Sequence, residues 1–112
     1  MRSASHYFEQ LHRRIMELGG LHNAHLHLDR SGTLEASRAL LAPRDQGRES
    51  RLSLQAKHSL IPTIHASHAY DPPEIAARVD WFVERMIEAG TTRAATVVDT
   101  TADRVGLDAL DC

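Results

Sequence analysis

The sequence predicts an α/β chain, read as the N-terminal β-α-β portion of a (β/α)8 TIM barrel that is incomplete over its 112 residues. Three observations carry this reading. Leu21 to Leu28 alternates apolar and polar residues, as a strand with two unlike faces does. Asp71-Pro72-Pro73-Glu74 opens a long apolar stripe with a helical period. Gly90 then separates that helix from a β-branched stretch ending in Val97-Val98-Asp99. Helix, glycine and strand in this order are half of a β-α-β unit, the pattern of a parallel sheet.

The elements follow in order. Residues 4–18 place Phe8, Leu11, Ile15 and Leu18 on one helical stripe, with Ser3 or Ser5 as cap and Gly19-Gly20 as terminator. The first strand, 21–28, puts Asn23, His25 and His27 on one face and Ala24, Leu26 and Leu28 on the other. Asp29 to Thr33 is a turn, and a helical connection fills 33–89. Within it, Thr33 caps a helix to about Leu41, Pro43 stops it, and 44–50 is a polar loop. A second short helix at 51–60 is expected to end at Pro62, and His65 and His68 are spaced to share a helical face. Asp71 caps the longest helix, 73–89, with Glu74 completing a capping-box pattern. Its stripe is Ile75, Val79, Phe82, Val83, Met86 and Ile87, with Trp81 at the edge. The second strand is 93–99, and 102–110 begins another helix.

Composition narrows the function. At 42% hydrophobic and 25% charged residues the chain is an ordinary globular sequence and not a disordered one. A net charge of −2 supplies no basic excess for phosphates, so neither nucleic acid nor a membrane surface is an expected partner. No apolar run approaches the roughly 20 residues of a bilayer span, and no apolar signal core precedes the first helix. Cys112 is the single cysteine, which fits a reducing compartment, and the expected location is cytoplasmic.

The chemistry concentrates at the end of the first strand. His25 and His27 lie on one face, about 7 Å apart along the strand, and can close on one metal ion where the strand twists tightly. Two such histidines are also what an ordinary half-buried strand can carry. Strand ends of this kind form the active-site mouth of a β/α barrel, and Asp99 falls at the corresponding end of the second strand.

The string His25-Leu26-His27-Leu28-Asp29 resembles the first-strand motif of the amidohydrolase superfamily, most like that of its cytosine deaminase and adenosine deaminase branches. Ala89-Gly90-Thr91-Thr92, followed by a strand ending in Val98-Asp99, is similar to the second strand of the cytosine deaminase-like members. Those members often carry histidine where this chain has Val97. The resemblance implies a metal-dependent hydrolase that acts on a C–N bond of a small molecule, a cyclic amidine or nucleobase-type compound, by metal-activated water. It implies His25 and His27 as metal ligands, Asp29 and Asp99 as substrate-binding residues, and a divalent metal, zinc or iron. The family's further ligands lie on later barrel strands that this sequence does not supply. The chain therefore reads as an N-terminal fragment, inactive alone and without an identifiable catalytic acid or base. Two other readings stay open. One is a non-catalytic remnant that self-associates through exposed apolar faces. The other is a small His-rich metal-binding protein using His58, His65 and His68.

Overall fold

The structure, a computed structural model, describes residues 2–112. In chain order it contains α1 (Arg2–Glu17), β1 (Leu21–Leu26), α2 (Leu34–Leu40), α3 (Leu54–Ala66), α4 (Pro72–Glu88), β2 (Thr91–Thr96) and α5 (Asp108–Asp111). Single 3₁₀ turns lie at Glu49–Arg51 and His68–Tyr70. β1 and β2 pair in parallel as a two-stranded sheet, so the chain is α/β with helices in the crossover.

A glycine turns the chain from helix into strand on each side of the sheet. After α1, the N–H of Gly20 donates to Ile15 O (2.9 Å) in a left-handed turn, φ being 83°. A Cβ on Gly20 would collide with the Thr92 side chain, which donates from Oγ1 to Gly19 O (2.7 Å). Gly90, at φ 96°, ends α4 in the same way, and its carbonyl accepts from Leu21 N–H (2.8 Å). The helix runs through Ser3 and Ser5, so neither is its cap.

Both strands stop earlier than 28 and 99, and β2 starts earlier than 93. The reason is local. Val97 N–H donates to Leu26 O (2.8 Å), the last bond of the ladder. Beyond it Leu28 N–H turns to Thr96 Oγ1 (3.2 Å), while the N–H groups of Arg30 and Ser31 donate back to His27 O. His27, Leu28, Asp29 and Asp99 thus lie on the turns just past the strands.

The helical segments depart from their sequence pattern at several points, beginning with Thr33, whose hydroxyl donates to Arg30 O (2.7 Å) and does not cap α2. Pro62 lies inside α3 and does not end it. The carbonyl deprived of its partner belongs to the exposed His58, where water can satisfy it. Ser53 caps this helix, accepting from Ala56 N–H (3.1 Å). Asp71 precedes α4 but its side chain does not cap it. That carboxylate instead accepts from Arg104 Nη2 (2.8 Å), so no capping box forms. Last, residues 102–107 are turns, and only the short α5 follows.

The core is small and sits at the C-terminal side of the sheet. Tyr70, Ile75, Val105 and Ala109 are buried together, with Ile64, Val79 and Val98 packed against them. α4 is the longest described helix, 17 residues, and delivers Ile75 fully into this cluster. Phe82, Val83 and Met86 are half-buried, and Ile87 is exposed. α1 leaves its stripe largely uncovered, with Phe8 at 63% and Leu18 at 71% exposure. The Cα radius of gyration, 17.3 Å, exceeds the roughly 13 Å of a compact domain of this length, which agrees with a chain not closed around one core.

This distribution makes unequal demands on apolar residues. Ile75→Ala is expected to lower stability by about 2–5 kcal/mol. Leu18→Ala is expected to change it by no more than about 0.5 kcal/mol. Urea denaturation of the two variants tests this, and equal losses would mean that the α1 stripe is covered in solution.

Candidate functional site

Two sets of polar side chains gather at the C-terminal ends of β1 and β2. The first is the histidine pair. His25 lies on β1 and His27 just past its end, where the two rings meet. Nε2 of His25 lies 3.2 Å from Nε2 of His27, with ring centroids 5.1 Å apart. Both residues are exposed.

The second set is an ion-pair network centred on Asp99, which follows the end of β2. Arg30, on the turn after β1, donates from Nε to Asp99 Oδ2 (2.7 Å) and from Nη2 to Oδ1 (2.6 Å). This bidentate geometry is the strongest form of a guanidinium–carboxylate contact. His65, from the last turn of α3, places Nε2 on Asp99 Oδ2 (2.8 Å) and Nδ1 on Asp103 Oδ2 (2.7 Å). Tyr70 OH lies within donating distance of Asp29 Oδ2 (3.1 Å) and Asp99 Oδ2 (3.2 Å). The backbone N–H of Asp99 donates to Asp29 Oδ2 (3.0 Å), tying the two strand ends together.

Burial divides the sites that the sequence nominates. Asp29 is 1% exposed and its Oδ1 is buried with no partner, as is Nε of Arg78, whose Nη2 donates to Asp29 O (2.9 Å). Asp29 and Asp99 are therefore joined to each other, through Asp99 N–H and Tyr70. His65 is also 1% exposed, whereas His58 and His68 are exposed. His68 begins the 3₁₀ turn beyond the end of α3, so it does not share a helical face with His65. Among the described residues no group of three or more His, Cys, Asp or Glu is arranged to hold a metal. The donors present for one are the two imidazoles of His25 and His27.

Sequence reasoning misses Arg30, Tyr70 and Asp103. Arg30 and Asp99 are 69 residues apart and His65 and Asp103 38 apart, so no local period links them. The one available signal was the run of turn-forming and charged residues directly after each strand, Asp29-Arg30-Ser31 and Asp99 to Asp103.

The network shifts its members. Burial raises the Asp99 carboxyl, but hydrogen bonds from Arg30 and His65 outweigh it and the net shift is downward. The Thr101 hydroxyl and His65 hold the Asp103 carboxyl down at about 2. The Asp99 hydrogen bond raises the Arg30 guanidinium further. Burial, then the charges of Asp29 and Asp99, push the Tyr70 phenol well up, so it remains a donor at neutral pH.

No family model, no curated protein and no solved structure matches the chain.

Carboxylates depressed in the folded state stabilise it above their unfolded pKa of about 3.9, and this stability is lost as pH falls towards the folded value. For Asp103 the window is therefore from about pH 4 down to about 2. The urea midpoint is expected to fall across that window, and less so in Asp103→Asn, which starts lower at neutral pH. An equal acid slope in both proteins would remove Asp103 from the account.

Proposed function

We propose that the chain is the opening β-α-β portion of an amidohydrolase-like β/α barrel, and that His25 and His27 are the first two ligands of its divalent metal. The supporting observation is the 3.2 Å separation of their Nε2 atoms. Two nitrogens at 2.0–2.1 Å from a tetrahedral zinc lie about 3.3 Å apart. The separation fits a chelate, and without a metal it is that of a hydrogen bond between the two rings. Parallel pairing of β1 with β2 and the gathering of polar groups at their C-terminal ends agree with the mouth of such a barrel.

Bound there, zinc or iron would supply a water acidified to a pKa of about 7, the nucleophile for a C–N bond in a cyclic amidine or nucleobase-type substrate. The chain's residues position and bind. His25 and His27 offer neutral nitrogen donors on an exposed face. Asp29 retains one buried oxygen without a partner, which suits a group that takes a donor from outside the two strands. Asp99 is saturated by Arg30, His65 and Tyr70, so its part in substrate binding is to hold the mouth in shape. Among the described residues the pair's side-chain hydrogen bond is to each other, and no general base is assigned.

A second reading, a self-associating module, is favoured by the uncovered stripe of α1 and by the unpaired outer edges of both described strands. The reading that uses His58, His65 and His68 asks His65 to abandon both of its carboxylate partners.

Zinc titration followed by calorimetry tests the proposal. One zinc per chain is expected, with affinity at least about tenfold weaker in His25→Ala and in His27→Ala. Unchanged affinity in both would dismiss the pair as ligands. The chain alone, with zinc, iron or manganese, is expected to show no multiple turnovers on cytosine, adenosine or cyclic amidines. A catalytic metal needs about three protein ligands, and proton transfer by a positioned acid or base contributes about 10²–10⁴-fold. Turnover that disappears in His25→Ala would show instead that self-assembly completes the site.

A further inference from the structure

We propose that His65 is held as an imidazolium and serves as a proton-controlled latch, joining α3 to residues 99–103 over the C-terminal ends of both strands and loosening that segment at Asp103 when the proton leaves. The proposal stands apart from the metal reading, since His65 touches neither His25 nor His27 in the contacts that define it.

The geometry requires two donors. Nε2 faces Asp99 Oδ2 at 2.8 Å, and Nδ1 faces Asp103 Oδ2 at 2.7 Å. Neutral imidazole has one N–H and would turn a lone pair onto a carboxylate. Asp99 has no oxygen free to carry the missing proton, and two donors on Asp103 favour its ionised form. Asp99 accepts on both oxygens from Arg30. Asp103 accepts on Oδ1 from the Thr101 hydroxyl (2.6 Å) and from Val105 N–H (3.0 Å). Thr101 Oγ1 also lies 3.3 Å from Nδ1, but its proton is directed to Asp103. Both carboxyls are shifted downward, in agreement with ionised partners.

The remaining surroundings are accounted for. The Tyr70 ring packs on the imidazole, centroids 4.6 Å apart, and its hydroxyl points to Asp29 and Asp99. Arg30 faces the ring through Asp99, and both line a small cavity of about 40 Å³ with Thr33, Ile61, Ile64 and Tyr70. Arg104 donates from Nε to His65 O (2.6 Å) and from Nη2 to Ser67 O (2.5 Å) and Asp71 Oδ1 (2.8 Å), fastening the end of α3 to the same segment. The two contacts to the ring differ in access. The Asp99 side chain is 11% exposed and the Asp103 side chain 35%. The proton therefore leaves from Nδ1 to solvent on the Asp103 side. The bond to Asp103 is then lost, while Nε2–H stays on Asp99.

The test reads the ring and the segment separately in the intact chain. Nitrogen-15 spectroscopy of the His65 ring at about pH 6 is expected to show a proton on both nitrogens. Raising the pH to about 9, below tyrosine ionisation near 10, is expected to remove the proton on Nδ1. Hydrogen exchange of the Val105 amide should then accelerate about 10- to 100-fold beyond its base-catalysed increase, the factor that a charge-assisted hydrogen bond supplies. In His65→Gln that extra acceleration should be present at every pH. Asp103→Asn, which leaves His65 and Asp99 in place, should loosen the Val105 amide at low and high pH alike. If His65→Gln does not fold, the wild-type ring and Asp103→Asn decide. A single protonated nitrogen at pH 6, or Val105 exchange that follows base catalysis alone, would overturn the latch.

Discussion

The Asp99 carboxylate is the contact on which the described structure depends. Arg30 with two donors, His65, Tyr70, and Asp29 through the Asp99 amide all converge on this residue. They come from the turn after β1, the end of α3 and the 3₁₀ turn before α4. A two-stranded sheet is too small to organise helices by apolar burial alone. Here the strand ends are instead joined by charge, in a region sheltered enough for the bonds to be strong but open enough at Arg30 and Asp103 to limit desolvation. Removing the Asp99 carboxylate would leave Arg30 and the Nε2 side of His65 without their partner together, so its loss would not be divisible into separate contacts.

The apolar side of the molecule is organised in the opposite way. The buried cluster around Ile75 and Tyr70 lies directly beneath the ion-pair network, and the two are continuous through Tyr70, whose ring is in the core and whose hydroxyl is in the network. Away from that end, apolar residues are left uncovered. Phe8 on α1, Leu18 just after it, Ile87 on α4 and Val97 after β2 are all at least half exposed. A groove of about 240 Å³ opens between α4 and β2, lined by Leu28, Val83, Met86 and Ile87 among others. In a β/α barrel such surfaces are covered by the neighbouring strands and helices. Under the proposed barrel reading, these open flanks are the faces that neighbouring elements would cover.

What the sequence discloses follows from the range of the interactions. Helices α1 and α4 and the parallel strand pair were legible because a period or a glycine marks each of them within a few residues. Pro62 misleads because a local rule forbids it, whereas the cost depends on whether the His58 carbonyl can reach water. Asp71 misleads in the same manner: it has the identity of a cap, but Arg104, 33 residues later, takes its carboxylate. His25 and His27 were legible as a pair because they are two residues apart, although His27 lies past the end of β1. His65 was legible only as a spacing with His68. Its true partners lie 34 and 38 residues away, and no pattern in a single sequence encodes which carboxylate will meet which ring.

The separation of the two polar sets has a chemical consequence. Asp29 is only two residues beyond His27, and a carboxylate that close could have joined the imidazoles. It is drawn inward instead, by Tyr70 and the Asp99 amide, and is buried. The histidine pair is left without a carboxylate beside it, so the proposed metal would meet imidazole nitrogens alone. Neutral ligands do not offset the charge of a divalent cation, so they favour acidification of its water at the expense of affinity. A carboxylate at the same place would hold the cation more tightly and blunt that effect. The network around Asp99 thus does more than fasten two strands. It also holds Asp29 inward, so that under the proposed metal reading the pair would bind without that carboxylate.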